Sequence, residues 1–201
     1  MKSNRVRVLL AVAATAVALT ACSPAGAGTA AVVGGERISV AELNENVEAV
    51  QREAAAVNVD LTAPEALPAK LPQMVLHYLV MIKQADQLAA RDGITVTEKE
   101  IDDELARYQV PVEQLAPRAA IPRSKIRDVV RAEIIQTKVA PRLGITIGQT
   151  PEEEMLTKLH QELSTAAPVT WSPRYGTRVS LDGRFQLPNR FGAPDADAHE
   201  E

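Results

Sequence analysis

One cysteine, two phenylalanines, three tyrosines and one tryptophan are all that 201 residues offer of those types. A single cysteine excludes an intrachain disulfide and any cysteine-rich zinc or iron–sulfur centre. So few aromatic rings exclude the stacking platforms on which single-stranded nucleic acid is held. With 22 basic against 26 acidic side chains, the net charge is −4, which argues against nucleic acid as a partner, because phosphate binding needs a clustered basic surface. No Walker or GxGxxG pattern is present, and neither is GxSxG or HExxH. Catalysis needs converging groups, and nothing in the sequence marks them, so no catalytic, cofactor or metal-binding residue is assigned and the chain is expected not to be an enzyme. Hydrophobic residues make up 46%, but much of that is alanine, which favours helix and buries little area.

What is present begins with an address. Lys2, Arg5 and Arg7 precede an apolar run from Val8 to Leu19, and no acid lies among them. Twelve residues fall short of the roughly 20 that span a bilayer, and fit the h-region of a secretory signal peptide. Leu19-Thr20-Ala21-Cys22 follows at once and resembles the lipobox of bacterial lipoproteins. The resemblance implies cleavage before Cys22 and lipidation of its sulfur by a diacylglycerol, with palmitate-type acyl chains. Two acyl chains anchor stably where one binds marginally. Cleavage there removes three cations and no acid, taking the net charge from −4 to −7. The expected location is the cell membrane, lipid-anchored, on the side facing away from the cytoplasm.

In the mature chain, Ala30–Val33 and Glu36–Ile38 flank Gly34-Gly35 and predict a small hairpin with Val33 and Ile38 inward. Ser39 with Glu42 forms a capping box, and Leu43, Val47, Val50, Ala54 and Val57 follow as one helical stripe. A proline-bearing loop leads to a helix from Leu71-Pro72 whose centre, Met74 to Ile82, is apolar nearly all round and is read as the core. His77 inside it is read as a hydrogen-bonded core group; His160 and His199 are too isolated to complete a site. Gly93 ends that helix, and Thr97 with Glu100 begins another through Ile101, Leu105 and Tyr108. A proline-rich bend with a helical turn near Val112–Leu115 precedes a helix from Ser124 to Ala140, with Ile126, Val130 and Ile134 on one face and Val129 beside them. Thr150 is expected to cap a last helix, with Pro151 first in it, Glu152–Glu154 complementing its dipole, and Met155 or Leu156, Leu159 and Leu163 on its apolar side. Val169–Trp171 and Arg178–Leu181 read as extended.

This order, with Val32–Leu43 (VVGGERISVAEL) and Ala89–Ile101 (AARDGITVTEKEI), resembles the N-terminal chaperone domain of the SurA/PrsA group of extracytoplasmic foldases. Trp171–Gly176 resembles the strand that closes that domain, so the likeness spans about residues 30–180. It implies a mainly α fold of about five helices, with a minimal two- to three-stranded sheet joining the N- and C-terminal segments. Parvulin-type isomerase modules of this group sit between the fourth long helix and the last. Here only Gly144–Gln149 lies between, so the resemblance carries chaperone-like binding and not prolyl isomerase activity.

The chain thus divides into a leader over 1–21, a tether from Cys22 over 22–30, a helical domain over 31–181 and a disordered acidic tail over 182–201. The function expected is ATP-independent binding of unfolded or exported polypeptides in the cell envelope. The alternatives are a structural or adaptor lipoprotein holding one envelope partner and an accessory prolyl isomerase. Apolar grooves with adaptable methionines suit varied partners, so Met74, Tyr78, Met81, Tyr108, Met155 and Trp171 are the candidates for client contact, each with ordinary core as its plainer reading.

Overall fold

The computed structural model describes residues 28–63, 66–108, 110–178 and 185–186. The leader, the lipobox Leu19-Thr20-Ala21 and Cys22 lie outside them. Strand β1 (Thr29–Val33) turns at Gly34-Gly35 into β2 (Glu36–Ser39), and helices α1 (Val40–Ala56) and α2 (Leu71–Asp92) follow. Next come α3 (Glu98–Leu105), α4 (Val112–Arg118), α5 (Ile126–Val139) and α6 (Glu152–Ala166), then β3 (Val169–Trp171), β4 (Thr177–Arg178) and β5 (Phe185–Gln186). The fold is therefore mainly helical, with a small antiparallel sheet, as expected.

β1 lies at the centre of that sheet, in the order β2-β1-β3. Val33 faces Glu36 on one side and Val169 on the other, while Ala31 faces Ile38 and Trp171. Gly34 N–H donates to the Pro168 carbonyl at 2.8 Å and Ser172 N–H to that of Ala30 at 2.9 Å, so the first and last segments of the domain are one structure. Gly34 has φ +53°, and a Cβ there would meet the Gln87 side chain, so the turn and the close approach of α2 both call for glycine. Val33 and Ile38 are fully buried, as predicted.

The Ser39 hydroxyl accepts from Glu42 N–H at 3.0 Å and starts α1. Only this half of the expected box forms, because Ser39 still pairs with Thr29 in the sheet. Leu43, Val50 and Ala54 of the α1 stripe are buried. At α3 both halves of the Thr97–Glu100 box are made. Gly93 ends α2 in the left-handed region at φ +66°.

α2 is the spine. Its first half packs Met74, Val75, Leu76, Leu79 and Val80 against the sheet and α1. Its second half packs Ala85, Leu88 and Ala89 against α5 and α6. Three of its glutamines donate to main-chain carbonyls of the first and last segments: Gln73 to Tyr175, Gln84 to Ala167 and Gln87 to Val33, each at 2.9 Å. Among the described residues no helix is long and apolar enough to cross a membrane.

One expectation is corrected. Thr150 does not cap α6: its hydroxyl accepts from Thr146 N–H at 2.9 Å, and the helix begins one residue later, with Pro151 at the cap. β1 starts at Thr29, and Ala30 within it is fully buried. Phe185–Gln186 pairs with Thr177–Arg178 as a second, two-stranded sheet. On α5 the expected face is joined by a second apolar one. Ile126 and Val130 face α3 and α4, whereas Ala132, Ile135 and Val139 face α2 and α6.

An ion-pair cluster ties the end of α2 to the turn before α6. Asp92 accepts from Arg91 at 2.8 Å and from Arg142 at 2.6 Å, and Arg91 also pairs with Glu162 of α6. The Arg91 and Arg142 bonds hold the Asp92 carboxyl down at about 2, against an ordinary 3.8. A depressed carboxyl adds stability that is complete above its unfolded value and is lost as the pH falls toward its folded one. The protein should therefore lose stability as the pH drops from about 4 to about 2, and Asp92→Asn should flatten that part of the curve in urea titrations at stepped pH. An unchanged acid limb would show that the cluster does not bear on folding.

Candidate functional site

α3 ends in Leu105, and the chain then runs out through Tyr108 and Val110 before prolines turn it back into α4. Pro117 and Pro122 are fully buried where this bend meets α5. Ile101, Ala116, Ile126 and Val130 fill the space between the three helices. The packing leaves a shallow, mainly apolar slot of about 50 Å³ lined by Leu105, Tyr108, Leu115, Ile121, Val129 and Glu133, among others. A water needs ~10–15 Å³ of such space, so the slot takes the tip of one side chain and not a length of polypeptide. Two of the three large apolar residues that are exposed among those described follow α3 in the chain: Tyr108, which lines the slot, at 38%, and Val110 at 44%.

The slot has one polar end. The Tyr108 hydroxyl donates to Glu133 Oε2 at 3.2 Å. Burial, and then the negative charge of Glu133, pushes the Tyr108 hydroxyl up to about 12, so it stays a neutral donor. Burial also raises the Glu133 carboxyl; Glu104 adds to this and the Tyr108 bond opposes it.

A second groove, of about 210 Å³, runs between α2, α5 and α6, lined by His77, Met81, Gln136, Leu156 and His160, among others. Two histidines that seemed isolated in the sequence thus share one groove, while His199 lies outside the described residues. The His77 ring tilts against Tyr78 at 5.5 Å. Among the described residues no group of three or more His, Cys, Asp or Glu could hold a metal ion.

The candidates for client contact separate by location. Met74 is 7% exposed and belongs to the main core; Tyr78 and Trp171 are partly buried against that same core. Met155 packs on the small cluster of Ala140, Ile145 and Leu159. Met81 lines the second groove, and Tyr108 lines the slot. Leu115 and Glu133 line the slot and are not among the residues the sequence marks. Glu133 gave no signal, since it stands 25 residues from Tyr108. Ile147, the third exposed residue at 62%, lies on the turn before α6 and lines neither groove.

A family model described as the SurA-like N-terminal domain matches residues 1–136. The match takes in both strands of the hairpin, α1 to α4 and most of α5; α6 and β3 lie beyond it. No curated protein and no solved structure matches the chain.

Proposed function

Because the chain belongs to the SurA-like N-terminal domain family, a chaperone-type and non-catalytic class of domain, we propose that it binds non-native polypeptides without ATP while tethered to the outer side of the cytoplasmic membrane. The observation that supports this reading best is the apolar slot with Tyr108 exposed in its lining. A partner's apolar side chain that enters the slot leaves water together with the ring. An unfolded exported chain exposes the side chains that fit. Each contact is weak, because ordering a flexible segment offsets most of the gain from burial. Weak and reversible capture lowers the free concentration of sticky segments and lets the client leave to fold.

The anchor is Cys22, placed after the apolar leader in a lipobox-like setting. The family is generally extracytoplasmic, which agrees with it. The residues from Cys22 to the start of β1 then tie the domain close to the bilayer surface.

Equimolar protein should suppress the aggregation of several unrelated unfolded proteins, read by light scattering. Tyr108→Ala should weaken binding of those clients by about five- to tenfold, the effect of losing one half-exposed ring. Capture of one tight partner with no general suppression would replace this reading with the adaptor one. Separately, Cys22→Ser should move the protein from the membrane fraction to the soluble one and abolish palmitate labelling. A variant that stays in the membrane fraction, or a parent that takes up no label, would remove the anchor from the proposal.

A further inference from the structure

The slot lined by Tyr108 has a charge that no described residue pairs with. Glu98 and Asp102 pair with Arg127, Glu104 pairs with Arg107, and Asp128 pairs with Arg131. Glu133 lines the slot and is in no ion pair among the described residues; its carboxylate is met only by the neutral Tyr108 hydroxyl at 3.2 Å. Arg107 is drawn to Glu104 at 2.6 Å and leaves Glu133 to the incoming chain. We propose that the slot selects segments in which an apolar side chain stands next to arginine or lysine, the apolar group entering between α3, α4 and α5 and the cation meeting Glu133.

The proposal rests on the chaperone reading and names the class of segment that the site prefers. Charge complementarity is its physical basis. Glu133 is exposed at the rim of the slot, so an arriving cation reaches it without leaving water entirely, and the gain is that of a surface ion pair. An acidic residue beside the apolar group would be repelled by Glu133, with Glu104 adding to the same field. The apolar walls cannot tell one neighbour from another, so discrimination falls to this single group. A cation is recruited while the segment is extended and exposed, and the preference weakens with salt.

The test uses three fluorescent peptides of one length with a common Leu-Phe-Leu centre flanked by arginine, serine or glutamate. Each is titrated with the purified full-length protein and followed by anisotropy. The arginine peptide should bind about fivefold more tightly than the serine one, and the glutamate peptide more weakly by a similar factor, as for a partly exposed ion pair. Raised salt should compress the series. Glu133→Gln should level it and Glu133→Lys should invert it, each variant keeping the parent's denaturant midpoint within error. Equal binding of the three by the parent, or an order that survives in Glu133→Lys, would overturn the charge preference and leave the chaperone reading standing. Failure of the parent to bind any of the three would overturn both.

Discussion

A chain ending at Gly144 is expected to lose its cooperative fold, although it retains the whole stretch that matches the family. The cut removes Leu159, Leu163 and Ala167, all at least nine-tenths buried, together with the half-buried Trp171. At about 2 kcal/mol for each leucine, with smaller contributions from Ala167 and Trp171, the lost burial is about 5 kcal/mol or more, the scale of the entire stability of a small domain. Polar groups lose partners as well. Gln84 no longer finds the Ala167 carbonyl, Gln73 loses that of Tyr175, and Arg91 loses Glu162. β1 is left with one side of its ladder unpaired, because Ala30 and Gly34 bond across to Ser172 and Pro168, and an open strand edge invites association. The expected result is a broad thermal transition by far-UV circular dichroism with dye binding to exposed apolar surface. A sharp transition close to that of the full chain would show that the hairpin and the first five helices fold unaided.

The second large effect concerns Leu76, which is fully buried in the cluster where α2 meets the sheet and α1. Leu76→Ala should cost ~3–5 kcal/mol, because Ile38, Leu43 and Val75 of the same cluster belong to three elements that cannot collapse around the gap. Urea titration should show a lower midpoint with the slope unchanged. The substitution should leave client binding per folded molecule as it was, since no groove residue is touched. Tyr108→Ala has the opposite signature: binding falls while stability changes by less than ~1 kcal/mol. If the two variants exchanged these outcomes, Tyr108 would be a packing residue and the slot would not be a binding surface.

The contrast between these residues shows how far a one-dimensional reading reaches. The run Met74–Ile82 has no polar face, so its helix had to be surrounded, and Leu76 was legible as core from the sequence. Ser39, Thr97 and Gly93 set helix ends through bonds spanning three or four residues, and those ends fell where expected. Gly34-Gly35 fixed the hairpin and its inward residues for the same local reason. The lipobox-like run before Cys22 is likewise a matter of neighbours in sequence.

Longer distances needed the folded chain. α5 showed one stripe in its sequence and has two apolar faces in the structure, because hydrophobic periodicity reports which residues leave water and not how many partners a helix meets. His77 and His160, 83 positions apart in the sequence, share a groove only because α6 crosses α2. Three segments, each unremarkable by itself, close around the slot and place Glu133 against Tyr108 with no ion-pair partner among the described residues. Local chemistry therefore determined the elements, the buried spine and the expected anchor. The packing of residues far apart along the chain decided where apolar surface stays open and which charge stands beside it, since both depend on what a residue's remote neighbours leave uncovered.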